Sequence, residues 1–222
     1  MDGEGARAAQ GGRVGRARAD PNSGHDSPLP ASTDDISERY LKKAIAEIND
    51  LGREIAQAAG PDRAPVVGSG HPLADLFLLK YAPQTAEVHE GVAFFGRTGQ
   101  AILKSLQRLH VDPMAIYGTN CLKFAEGDEE EALAWLAREL HVVQPKLIVV
   151  MGQDALRCLN ALQFPLSSVV EGETGTIQRF TPTIEALHVP DIESALDEQA
   201  PKRAFWDAFK AIGPWWSEQP PY

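Results

Sequence analysis

Apolar residues recur at two spacings along this chain. Tyr40, Leu41, Ala44, Ile45, Ile48, Leu51 and Ile55 follow the three- and four-residue steps of an amphipathic helix, which Thr33-Asp34-Asp35 caps and Gly60-Pro61 ends. "ADLFLLKYAP" (Ala74 to Pro83) is a compact apolar run stopped by proline, the pattern of a buried strand. The alternation then repeats. "AILKSLQRL" predicts helix, "AIYGTN" strand, "EEEALAWLARELHVV" helix with acids at its positive end, and "KLIVVMG" strand. "QDALRCLNAL" predicts helix, "GTIQRF" a fourth strand and "APKRAFWDAFKAI" a closing helix. Continuous rather than alternating apolar strands belong to a parallel sheet covered on both faces. The expected architecture is an α/β fold, a three-layer α/β/α sandwich around a central, mainly parallel four-stranded sheet.

Residues 1–33 carry almost no large apolar side chain and are expected to form a disordered tail, followed by one domain over 34–216 and a short tail over 217–222. Arg7, Arg13, Arg16 and Arg18 outnumber Asp2 and Glu4 in the first part of the tail, a solvated leader or a cationic arm for phosphates. The whole chain has 21 Lys and Arg against 31 Asp and Glu, a net charge of −10. That balance argues against tight, sequence-blind nucleic-acid binding but leaves room for a local basic groove. Two cysteines, Cys121 and Cys158, support neither a disulfide framework nor a four-cysteine cluster. The scattered histidines show no ligand spacing, so no metal and no cofactor are expected. Without an apolar run of spanning length or a signal-peptide core, no membrane is expected, and the cytoplasm is the expected location.

In a sheet of this kind ligands bind beyond the carboxyl ends of the strands, where three loops and the segment around His188 gather. Phe94 and Phe95 sit in a glycine-flanked bend, "EGVAFFGRTG", where an aromatic ring can stack on a flat heterocycle or belong to the core. Asn120 ends a strand; its carboxamide can read the edge of a base or close a turn. His188 can donate to a leaving group or be a loop histidine.

The order of these pieces resembles the uracil-DNA glycosylase superfamily, in particular its thermostable branch that usually carries an iron-sulfur cluster. That branch has Gly-Glu-Ala-Pro-Gly, an acid three residues on, and then Gly-x-Pro-Phe-Val-Gly-Arg-x-Gly. The corresponding residues here are Lys80, Tyr81, Ala82, Pro83 and Gln84, then Glu87, then the segment from Gly91 to Gly99. Its Thr-Asn-x-x-Lys is similar to Thr119-Asn120-Cys121-Leu122-Lys123, and its His-Pro-Ser to His188-Val189-Pro190. The resemblance implies hydrolysis of the N-glycosidic bond of uracil or another deaminated base in duplex or single-stranded DNA, by a monomer. It implies that Phe94 floors a pocket walled by Tyr81, Ala82 and Pro83, that Asn120 reads the base, and that His188 donates to it. Glu87 would serve the chemistry. Arg97, Lys123, Val189 and Pro190 would meet the DNA. Tyr81 stands where the motif has a carboxylate, and the cluster cysteines are missing, so a packed apolar region is expected in their place. A silent DNA- or protein-binding module and a hydrolase of small nucleosides are the alternatives.

Overall fold

A computed structural model describes residues 33–220. The tail expected over residues 1–33 lies outside them except for Thr33, which starts the first helix. In chain order the elements are α1 (Thr33–Ala59), β1 (Ser69–Gly70), β2 (Leu76–Lys80), α2 (Thr85–Glu90), α3 (Arg97–Arg108), a 3-10 turn (Pro113–Ala115), β3 (Ile116–Asn120), α4 (Glu129–Val143) and β4 (Leu147–Met151). There follow α5 (Gln153–Ala161), β5 (Ile177–Arg179), β6 (Glu185–Val189), α6 (Ile192–Asp197), α7 (Gln199–Phe209) and α8 (Ile212–Ser217).

The sheet order is β1-β3-β2-β4-β6-β5, with β3, β2, β4 and β6 parallel and the two outer strands antiparallel. The expected four strands are therefore six. The segment "GTIQRF" supplies an antiparallel edge, and the fourth parallel strand is "EALHV", which the sequence pattern did not single out. A tight turn joins the two, with Thr181 N donating to Ile184 O at 2.9 Å, and carries β6 back beside β4.

Each face of the sheet buries its own core. Phe77, Leu79, Tyr117, Ile148, Val150 and Ala186 pack with α4 and α5. Leu76, Leu78, Ile116, Leu147, Val149, Met151, Leu187 and Val189 pack with α3, α6, α7 and α8. Side chains alternate between faces along a strand, so these two lists also assign the strand ends. Lys80, Asn120, Met151 and Val189 lie on the α3–α6 side; Thr119, Val150 and His188 lie on the other.

A third cluster joins Leu51, Ile55 and Ala59 of α1 to Phe124 and Trp135, and the Arg63 guanidinium lies 4.2 Å from the Phe124 ring centroid. This apolar packing supports the loop that follows Lys123.

Candidate active site

The chain leaves β2 toward β3 on one side and later returns to β4 on the other, so the topological switch point lies between β2 and β4. A crevice of about 240 Å³ opens there, bordered by Lys80, Tyr81, Ala82, Met151, Gly152 and Glu193. Across the carboxyl edge of the sheet the in-register order is Asn120, Lys80, Met151, Val189. Lys80 thus stands between the crevice and Asn120.

Asn120 is fully buried, and neither its Oδ1 nor its Nδ2 has a hydrogen-bond partner among the described residues. Burying a carboxamide unpaired costs about 1–3 kcal/mol, which makes Asn120 a candidate for binding a ligand. Two positions earlier on the same face is Gly118, against which the Phe94 ring is packed: a Cβ there would meet the ring at 2.7 Å. Phe94 is half-buried and holds a left-handed backbone, φ 59°, unusual for a bulky residue. Its own N–H donates to Glu87 Oε1, which pins this conformation. The aromatic ring therefore lies over β3 two positions before the carboxamide, on the same face of the sheet. Phe95, by contrast, is exposed.

Glu87 is 0% exposed and does not face the crevice. Its Oε2 accepts from Lys80 Nζ at 2.5 Å and from Gln84 N at 2.6 Å. The carboxylate expected to serve the chemistry is thus a strut that ties the ends of β2 and α2 to Phe94. Lys80, 2% exposed, also donates to Glu193 Oε1 at 3.1 Å and lies 5.8 Å from the Phe94 ring centroid. Glu193 in turn accepts from Thr98 Oγ1 at 2.8 Å.

Tyr81 turns toward the opposite core, where its ring lies 5.5 Å from the Arg157 guanidinium carbon. Burial, then the negative charge of Glu129, raise its pKa, so it is a neutral phenol at the crevice wall. Ala82 is half-buried at the same wall, and Pro83, buried, follows it.

Several expected positions are corrected. His188 is not in a loop after the last strand but inside β6, with its side chain opposite to Asn120; its Nδ1 pairs with Gly172 O at 3.0 Å and its Nε2 is buried without a partner. It does not meet the same base as Asn120. Val189, which does share the Asn120 face, is 0% exposed and packed in the core, so it is no DNA contact. Pro190 is half-buried just beyond it. Lys123 is buried as well: Nζ donates to Glu139 Oε2 at 2.5 Å, Thr119 Oγ1 at 2.7 Å and Asn120 O at 2.8 Å. A cation neutralised inside the core cannot also pair a phosphate. Only Arg97 of the expected basic groove is exposed, where it bridges to Asp197 at 2.8 Å.

The buried Lys80, the acid Glu193 and its partner Thr98 went unrecognised as site residues. No motif marks them, because their meeting depends on α6 packing against α3 and the end of β2.

The four-thiolate cluster of the resembled branch does not fit this chain. Its two cysteines are both buried, and the Cys121 thiol is pushed well up by burial and by neighbouring Cys158. Among the described residues no three His, Cys, Asp or Glu side chains gather as metal ligands.

Fold and site together define a doubly wound α/β domain with an open crevice at its switch point and a buried carboxamide one strand away. The chain belongs to the uracil-DNA glycosylase superfamily, whose description is matched by residues 67–210. A type-4 uracil-DNA glycosylase of Archaeoglobus fulgidus is 23% identical over 185 residues, covering 76% of this chain and 93% of that protein. A second, from Sulfurisphaera tokodaii, is 27% identical over 101 residues, covering 41% of this chain and 46% of that protein.

Proposed function

We propose that this protein is a DNA glycosylase that hydrolyses the N-glycosidic bond of uracil, or of another deaminated base, in DNA. The observation that carries the reading is the Asn120 carboxamide, buried with both polar atoms unpaired among the described residues, on the face where the Phe94 ring packs two positions earlier. The names of the two relatives point the same way.

A base cannot reach such a pocket from within a duplex, so it must leave the stack, at a cost of about a few kcal/mol that stacking and hydrogen bonds offset. Phe94 supplies the stacking surface, with Gly118 leaving room for its ring. Asn120 offers one donor and one acceptor edge, which match a pyrimidine imide. The Lys80 side chain, held by Glu87 and Glu193, lies between crevice and carboxamide. Arg97, exposed at the start of α3, meets the DNA backbone in this reading by exchanging its surface pair with Asp197 for phosphate.

The test is base release. Purified protein is incubated with single- and double-stranded oligonucleotides carrying uracil, hypoxanthine or xanthine, and abasic sites are then cleaved by alkali. Cleavage of at least one is expected, while no cleavage of any at high enzyme concentration overturns the proposal.

A further inference from the structure

Tyr81, at the motif position where a carboxylate is expected, is a neutral phenol directed at Arg157 and cannot orient an attacking water as an anion. We infer that Glu193, on α6, is the water-orienting carboxylate of this site, a role moved from the end of β2 to a different element. This inference rests on the glycosylase reading and names a catalytic residue within it.

The three acids bordering the crevice are distinguishable by what their oxygens do. Asp154 pairs with Arg157 at 2.6 Å on the exposed side. Asp191 caps α6, with Oδ1 accepting from Glu193 N and Oδ2 from Ser194 N. Glu193 has Oε1 clamped by Lys80 Nζ and Thr98 Oγ1, whereas Oε2 accepts no hydrogen bond from the described residues. Its side chain is 25% exposed, between the buried lysine and the open crevice. One oxygen held by two donors and one left free is the arrangement that fixes a carboxylate while leaving it a lone pair for water. Lys80 and Thr98 are positioning residues; Lys80 has a second buried partner in Glu87, so the clamp does not depend on Glu193 for its own placement.

In the step, the C1′–N bond breaks and its electron pair leaves with the base. Water oxygen bonds to C1′, and the proton it loses passes through Glu193 Oε2 to solvent while the departing base takes a proton from solvent. Free base and an abasic hydroxyl sugar result, with no further reactant.

The experiment measures single-turnover base release by Glu193→Gln and Glu193→Ala, with melting temperatures recorded in parallel. Both variants are expected to fall by about 10²–10⁴-fold, the usual contribution of a positioned acid or base, at unchanged melting temperature. Added formate, a small carboxylate, is expected to restore activity to Glu193→Ala but not to Glu193→Gln, whose side chain still fills the space. Activity within a few-fold of wild type in Glu193→Gln, or a loss in Glu193→Ala that formate does not relieve, overturns the inference. A wild-type protein that releases no base from any substrate instead overturns the glycosylase reading itself, and the two failures are told apart by the wild-type lane.

Discussion

Asn120 and His188 project from opposite faces of the sheet: Asn120 pairs in register with Lys80 on the α3–α6 side, whereas His188 pairs with Val150 and bonds Gly172 O on the α5 side. A single base cannot touch both. The histidine resembling a motif member is therefore offset by one strand residue from the face where it would be useful, and Val189 occupies that face.

His188→Gln keeps a group able to bond Gly172 O. Base release by this variant is expected to stay within a few-fold of wild type, and a gel-based time course checks it. A loss comparable to removal of Asn120 contradicts the face assignment.

Phe94 rests on Gly118 with no room for a methyl group, since a Cβ would meet its ring at 2.7 Å. Gly118→Ala is expected to displace the ring by a fraction of an ångström to an ångström and to slow base release by about 10²-fold, the scale of a small misplacement in an active site. The core on that face should tolerate the change better than the chemistry does. Comparing single-turnover rates with denaturant midpoints separates the two effects.

Lys80 and Glu87 form an ion pair sealed from solvent. Lys80→Met leaves Glu87 with two backbone donors but no countercharge, and removing one partner of a buried pair costs about 3–5 kcal/mol. Urea unfolding should show the midpoint falling with an unchanged slope. Lys123→Met, which strips Glu139 of its countercharge, is expected to behave alike.

Tyr117 is buried with its hydroxyl donating to Glu139 Oε1 at 3.1 Å, and burial, then the Glu139 charge, raise its pKa well above the ordinary value of 10.0. A raised folded-state pKa means that stability is fully present below the unfolded value and is lost as pH rises toward the folded one. Tyr117→Phe is expected to lose about 0.5–1.5 kcal/mol at neutral pH, for the missing hydrogen bond. Above pH 10 its stability should decline less steeply than that of wild type. Denaturant titrations at pH 8 and at strongly alkaline pH measure the difference.

Much of this fold was legible because its inner strands are apolar runs between helical repeats: β2, β3 and β4 each fall inside the segment that predicts them. β6 was not, since five residues containing a glutamate and a histidine carry little strand signal alone and are stabilised by β4 beside them. Phe94 and Asn120 stand out as candidates by residue type and order, and the structure places both on the α3–α6 side of the sheet. The burial of Lys123 was not legible for a physical reason: in isolation it looks like a phosphate partner, but its carboxylate, Glu139, arrives from another element. The parity of His188 was hidden because one residue of register decides which face a strand side chain takes.

The most direct test of the account is single-turnover release of uracil from an oligonucleotide by wild type and Asn120→Ala, with thermal unfolding of both. Removing an unpaired buried carboxamide should leave the melting temperature unchanged or raised, while excision falls by about 10²–10³-fold through loss of hydrogen bonds to the departing base. Excision by Asn120→Ala at the wild-type rate contradicts the claim that this carboxamide reads the base.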